Sequence, residues 1–408
     1  MISTHRRIWH ASRAGILAAT IAACATLAPP EDQATAVQAA SIFDGDVFNW
    51  RFYVDSYGDL LQAGIDTPAE AQAHWQNFGI RECRRAHPRF HPRQYLDLYP
   101  DLKAAFGNDC TKALQHYLSF GRGEGRVGIA NGAYDGRYTI SNDLITVGAS
   151  LRTAGAIDSL YWNGVELINS YDHGRQLQVA LSANNWGECY NPTEAGSGAD
   201  GTRPGTTSVL HAATASANVL TTDNQPAFWV PPGGSAPGCG AARNTTALSP
   251  YRFRKTVTVG VAGIRHIVEV RSDVVVPETV SSLVYEGPTG YLGGELTSFY
   301  TFNPSTCALA PLSAGPGEQP LPVVLSTSDG TAAMGTWSPS LPQPAFPSAG
   351  YGRFAFPNSN PANATNKWNM VFRRGPTPPG TYSFRSYIAV GSLENVRVAL
   401  CQLQSAAP

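Results

Sequence analysis

From about Tyr134 onward the chain is a succession of short apolar runs, rich in β-branched residues and punctuated by glycine and proline. That punctuation leaves few folds open. The runs are Leu144–Leu151, Gln176–Leu181, Tyr251–Val261, Ile264–Val276, Val323–Ser326, Tyr382–Val390 and Val396–Leu403. In Ile264-Arg265-His266-Ile267-Val268-Glu269-Val270-Arg271 apolar and polar side chains largely alternate, the period of a strand with one wet face. The turns come from 40 Gly and 30 Pro in 408 residues, and no amphipathic helical pattern of length competes. The spacing predicts a mainly β fold over 132–408, a large antiparallel β-sandwich.

Ahead of it, residues 43–131 carry an internal repeat at a constant offset of 42. Phe48, Arg51, Tyr53, Asp55, Tyr57, Asp59 and Leu60 recur as Phe90, Arg93, Tyr95, Asp97, Tyr99, Asp101 and Leu102. Ala71, His74, Trp75, Phe78, Gly79, Glu82 and Arg84 recur as Ala113, His116, Tyr117, Phe120, Gly121, Glu124 and Arg126. Each unit reads as two short helices, the second stopped at Phe-Gly, forming a small all-α two-repeat domain. The places of His74 and His116 beside Trp75 and Tyr117 favour a structural role over metal binding. The second copy, Tyr95-Leu96-Asp97-Leu98-Tyr99-Pro100-Asp101-Leu102 through Phe120-Gly121-Arg122-Gly123-Glu124-Gly125-Arg126, resembles a short repeat widespread in bacterial secreted and surface proteins.

Residues 1–24 read as a signal peptide. His5, Arg6, Arg7 and Arg13 form a positive region before the short apolar run 14–23. Ile21-Ala22-Ala23-Cys24 fits a lipobox with Cys24 as the lipidated residue; ordinary cleavage at Ala23-Cys24-Ala25 is the rival. Membrane attachment is expected only through a lipidated Cys24. Residues 25–42 are expected to be a disordered tether. Six further cysteines suit an oxidising compartment; their division between the two regions narrows the 15 possible pairings, and Cys83–Cys110, Cys189–Cys239 and Cys307–Cys401 is the expected set. The expectation is a secreted or lipid-anchored protein of the cell surface or envelope. Charged residues are only 14% and the net charge is −1, so there is no basic field for nucleic acid.

Three clusters could carry function. Tyr171-Asp172-His173-Gly174-Arg175-Gln176-Leu177-Gln178 places Gln176 and Gln178 on one face if it is a strand, with Arg175 on the other. Asp172 with the two Gln could bond sugar hydroxyls, and Arg175 a carboxylate; a structural row serving loop carbonyls is the alternative. Trp186-Gly187-Glu188-Cys189-Tyr190-Asn191-Pro192-Thr193-Glu194 opens a long loop towards Cys239, offering Trp186 and Tyr190 as rings for a sugar face and Asn191 at its edge. The plain alternative is a stabilised surface loop. Glu318, read as an exposed acid on a tight turn, could pair with Glu194 for glycoside chemistry. His173 and Asp172 complete the candidate catalytic set. Asn366-Lys367-Trp368-Asn369 is a further polar and aromatic cluster. No Gly-x-Ser-x-Gly elbow, His-Glu-x-x-His, phosphate loop, dinucleotide fingerprint or zinc-spaced cysteines occur, so neither metal nor cofactor is expected.

The stretch Gly155-Ala156-Ile157-Asp158-Ser159-Leu160-Tyr161-Trp162-Asn163-Gly164-Val165-Glu166-Leu167-Ile168-Asn169, then Asp172, Gly174, Arg175 and Gln176, resembles the opening hairpins of galactose-mutarotase-like supersandwiches. That resemblance implies a superfold used by sugar epimerases and by domains of glycosidases and polysaccharide lyases. The epimerase His pair and catalytic Glu have no placed counterpart in this sequence. Asn191–Gly196 and Gly315–Gln319 also look like signatures of exported bacterial proteins. The expected function is carbohydrate recognition, of a saccharide or cell-envelope glycan. The alternatives are a hydrolase, lyase or epimerase using the acids above, and an adhesive or structural protein acting through the repeats.

Overall fold

The computed structural model describes residues 42–406. The signal peptide and lipobox of 1–24, and the tether apart from its last residue, lie outside the described residues.

Each repeat unit holds three short helices, not two. In the first unit these are α1 (Trp50–Ser56), α2 (Gly58–Gln62) and α3 (Pro68–His74), and in the second α4 (Pro92–Leu98), α5 (Pro100–Phe106) and α6 (Cys110–His116). The extra break falls at Tyr57 and Tyr99, both extended; Pro100 excludes Tyr99 from helical geometry. After α3 and α6 come π-helical turns, Trp75–Gly79 and Tyr117–Gly121. Gly79 and Gly121 therefore sit inside the helical turn, where a Cβ would collide with the hydroxyls of Tyr53 and Tyr95. Close approach, and not helix termination, is why glycine stands there.

Contacts recur at the same 42-residue offset. Tyr53 Oη lies 2.8 Å from His74 Nδ1, and Tyr95 Oη 3.0 Å from His116 Nδ1. Arg84 pairs with Asp59 at 2.8 Å, Arg126 with Asp101 at 2.9 Å. Tyr57 and Tyr99 accept from the main-chain N–H of Arg85 and Val127. Cys83–Cys110 staples one unit to the next.

The remainder is mainly β, in two large antiparallel sheets of 12 and nine strands among the described residues. The larger runs Gly132–Tyr134, Arg137–Ser141, Ile145–Ser150, Ile157–Trp162, Leu177–Ala183, Leu283–Gly293, Thr365–Arg374, Tyr351–Phe356, Gly317–Gln319, with three short strands beside this path. The smaller runs Ala308–Pro311, Ser298–Asn303, Val323–Ser326, Ala333–Trp337, Gly380–Gly391, Ile264–Val276, Arg252–Val261, Val219–Gln225, Val209–Ser216. Alternate residues meet between the sheets: Leu177, Val179, Leu181, Leu292, Trp368 and Met370 from one, Phe253, Val257, Val268, Val270 and Ile388 from the other. Burying such side chains at about 25 cal/mol per Å² of apolar surface is the main term holding the layers together.

Two expectations fail here. Val396–Leu403 is not a strand but part of helix α7 (Leu393–Ala406). Its buried residues Val396, Ala399, Leu400 and Leu403 follow the i, i+3, i+4, i+7 spacing of one helical face, and Ser392 caps the helix through Asn395 N–H at 3.1 Å. Its β-branched residues misdirect a reading by propensity. The segment from Cys189 to Cys239 is likewise no simple loop, because it contains the Val209–Ser216 and Val219–Gln225 hairpin. Cys189–Cys239 and Cys307–Cys401 are both formed, in the expected pairing.

The helices meet the sandwich through specific bonds. Asp55 accepts the N–H of Ser170 at 3.0 Å, Arg137 donates to Ser56 Oγ at 3.1 Å, and Arg89 to the carbonyl of Asp143 at 2.8 Å.

Candidate functional site

A cleft of about 510 Å³ opens on the face of the 12-stranded sheet turned away from the core. Its floor is built by register. Gln178, Thr289, Asn369 and Gly352 face one another across four strands, the first two lining the cleft, and Tyr291, Lys367 and Phe354 form the next row. A bulge between Glu286 and Thr289 adds residues to one strand only, so Glu286 and Thr289 both line the cleft despite odd spacing. Phe356 and Thr365 extend the floor.

Loops supply the walls. Asp172 and Arg175 lie 3.2 Å apart, and Arg175 also donates to the carbonyl of Asn363 at 2.6 Å. Trp229 lies against Gly174, where any Cβ would be 2.5 Å from the indole. Asn191 donates to Glu188 at 2.9 Å and accepts Trp229 N–H at 2.8 Å. The Cys189–Cys239 bond holds this wall in place.

Three near-parallel rings form a platform. Tyr291 and Phe356 have centroids 6.2 Å apart at 24°, and Phe354 and Phe356 are also 6.2 Å apart, at 15°. Lys367 Nζ sits 5.0 Å over Tyr291 and 5.2 Å from Phe354, and 3.1 Å from Glu286. Burial alone would lower the Lys367 ammonium, but Glu286 and Tyr291 hold it above its ordinary value. Burial raises the Tyr291 phenol, partly offset by Lys367. Both groups are therefore protonated near neutral pH and act as hydrogen-bond donors, not bases. Asp172, Glu188 and Glu286 each have a donor already beside them, so the cleft presents oriented polar groups around its aromatic rings.

Of the ten residues singled out from the sequence, four line this cleft: Asp172, Arg175, Gln178 and Asn191. Arg175 and Gln178 are not on opposite faces of one strand, because the strand begins only at Leu177. Gln176 is buried and donates to Ser170 Oγ and the carbonyl of Asp172. Trp186 is 41% exposed and packs edge-on to Tyr190. Tyr190 is buried against Phe228 and donates to Glu278 at 3.2 Å.

The proposed acids and base are dispersed. Glu194 is fully buried between the sheets, 2.6 Å from Lys255 and accepting Val179 N–H at 3.0 Å. Glu318 is not on an exposed turn: it lies on the edge strand Gly317–Gln319, half-buried, with Arg373 Nη1 at 2.9 Å. Neither lines the cleft, so they form no pair across it. His173 is also outside it, buried with Nδ1 2.7 Å from the carbonyl of Gly201 and Nε2 2.9 Å from that of Arg152. Burial favours the neutral imidazole, whose single N–H donates to one of these two carbonyls and ties the ring to the loops around it.

Sequence reasoning missed Trp229, Glu286, Thr289, Tyr291, Phe354 and Phe356, and saw Lys367 only as part of a cluster. Two signals pointed there: Gly287-Pro288 inside a strand, which marks a bulge, and the Phe354-Ala355-Phe356 alternation. Among the described residues no group of three His, Cys, Asp or Glu is placed to hold a metal.

Similar solved structures include a galactose mutarotase related enzyme from Lactobacillus acidophilus, 11% identical with TM-score 0.37, covering 63% of this chain and 98% of that one. A heparan sulfate lyase from Pedobacter heparinus is 10% identical with TM-score 0.39, over 88% of this chain and 55% of that chain. An alpha-mannosidase from Enterococcus faecalis V583 is 13% identical with TM-score 0.38, over 69% of this chain and 32% of that chain. Galactose-mutarotase-like proteins thus stand among the structural neighbours. No family model and no curated protein matches the chain.

Proposed function

We propose that the cleft binds carbohydrate and that the protein works outside the cytoplasm, at the cell envelope or beyond. One observation carries the reading: the ring platform of Tyr291, Phe354 and Phe356 shares a cleft with Trp229 and with a rim of Asp172, Arg175, Asn191, Glu286 and Lys367. A pyranose has an apolar face and an equatorial ring of hydroxyls. The platform covers the first, and the rim, which holds both donors and acceptors, serves the second. Three disulfides support an oxidising compartment.

Titration calorimetry of the full chain against a panel of neutral and acidic oligosaccharides tests this, with intrinsic tryptophan fluorescence as a second readout. Saturable heat for one class, lost in Tyr291→Ala, is the expected result. No heat and no fluorescence change across the panel would remove the reading.

Convergence of Asp172, Glu188 and Glu286 on one cleft favours a second reading, cleavage of the bound saccharide. Reducing-end release from a bound oligosaccharide, abolished in Glu286→Gln, is its signature.

A further inference from the structure

A second cavity, of about 240 Å³, lies where the end of α1, the hairpin turn at Asp135 and the turn Leu151–Thr153 converge, and Arg85, Arg137 and Arg152 all line it. Their charges are not balanced alike. Arg137 has a carboxylate, Asp158, at 2.6 Å. Arg85 does not. It is 6% exposed and donates to the carbonyls of His87 (3.0 Å) and Pro88 and to Thr139 Oγ1 (3.1 Å). Arg152, 7% exposed, donates to Ser170 and to the carbonyl of Tyr171 at 3.2 Å. All these partners are neutral.

Burial, with Arg137 next in effect, drags Arg85 down to about 9, and burial lowers Arg152 as well. A guanidinium nevertheless keeps its proton at neutral pH. A buried charge left without a close counter-charge is strongly destabilising. Nearby acids offset the charge only from a distance: Asp55, Asp158 and Asp172 act on Arg152 and Asp158 on Arg85, but none forms an ion pair with either, and Asp135, 65% exposed, lies 3.6 Å from His91. Tyr57 lines the same cavity, and its hydroxyl oxygen accepts Arg85 N–H at 2.7 Å, leaving the phenolic hydrogen to donate.

We propose that this cavity is an oxyanion site, in which a sulfate, a phosphate or the acid group of a sugar supplies the counter-charge for Arg85 and Arg152. The planar guanidinium fork matches two oxygens of such an anion. The site is separate from the saccharide cleft and stands whether or not that cleft binds sugar.

Equilibrium dialysis of the full chain against labelled sulfate, phosphate and glucuronate, with ionic strength fixed by chloride, tests it. Saturable binding of one ion per chain is expected. Saturation by sulfate or phosphate identifies a free inorganic ion as the source, and saturation by glucuronate alone identifies a sugar acid. Arg85→Gln and Arg152→Gln should each weaken binding tenfold or more, while Arg271→Gln on the open face of the other sheet leaves it unchanged. A crystal of the unmodified protein soaked in selenate gives a check that needs no variant: anomalous density inside the cavity supports the site. Absence of saturable binding by all three ions, or anomalous density only elsewhere, overturns it.

Discussion

The outward faces of the two sheets are finished in different ways. On the nine-stranded sheet, Asp223, Arg254, Asp273 and Ser383 lie in one cross-strand row and Thr256, Arg271 and Arg385 in the next. Ion pairs tie the rows: buried Glu269 serves both Arg271 (3.1 Å) and Arg385 (2.6 Å), and Asp223 serves both Arg252 (2.6 Å) and Arg254 (3.5 Å). Further along the same face α7 covers the sheet, and there Ile267, Ala389 and Val324 are apolar. The 12-stranded sheet meets the helical repeats at Arg137, Thr139 and Tyr161 and is covered by loops further along, where its face carries rings and polar groups in a cleft. What lies over a face goes with its chemistry: charge pairs where the smaller sheet is open, aliphatic residues under α7, and room for a ligand under loops.

The strongest test of this contrast is at the layer joining the sheets. Glu194→Gln leaves Lys255 buried without its partner; the expected loss is about 3–5 kcal/mol in urea unfolding. Next comes the wall of the cleft. Replacing Cys189 and Cys239 by Ser opens a 50-residue separation, which should cost about 4 kcal/mol or less and weaken saccharide binding measured by calorimetry.

A third effect depends on pH. Glu166 lies in the larger sheet, fully enclosed, accepting from Ser159 Oγ (2.6 Å) and from Leu160 and Ile168 N–H. Burial pushes it up to about 7 from 4.5, against the pull of those donors. The folded state holds this proton more tightly than the unfolded chain does. Its contribution is therefore full below about pH 4.5 and is lost as pH rises towards 7. Unfolding curves across that window should show a decline of up to about 3 kcal/mol that Glu166→Gln removes. Smaller again, Phe356→Ala should weaken saccharide binding about tenfold, about 1.4 kcal/mol, with the melting temperature nearly unchanged. At the bottom of the scale, Arg271→Ala on the open face should shift stability by about 0.5 kcal/mol or less and leave saccharide affinity alone. An equal loss of affinity in both variants would erase the distinction between the faces.

How much of this was legible depends on whether the information is local. Ile264–Val276 shows its alternation in its own residues, and the repeat shows its offset at every matched position. Which region each cysteine belongs to isolates the Cys83–Cys110 pair but leaves three pairings for the other four. The cleft is another matter. Tyr291, Lys367 and Phe354 are neighbours because three strands pair in one register, and nothing in their spacing along the chain records it. Glu194 and His173 mislead for the converse reason: acid and imidazole groups look functional in sequence, but here an internal lysine and two main-chain carbonyls absorb them. The helix α7 was hidden by valines that fit either a strand or one face of a helix.

The three disulfides span 27, 50 and 94 residues, in chain order. For a chain emerging from its N-terminal side, Cys83 and Cys110 are both present when only the helices exist. Cys189 meets Cys239 after the Val209–Gln225 hairpin is made. Cys307 must wait for Cys401, on a helix that packs against Ile264–Val276, Ala333–Trp337 and Gly380–Gly391. Its closure reports that the second sheet is assembled. An oxidant acting during synthesis can therefore complete the first bond early, while the third serves as a latch on the finished sandwich, and trapping free thiols over time would read out how far assembly has progressed.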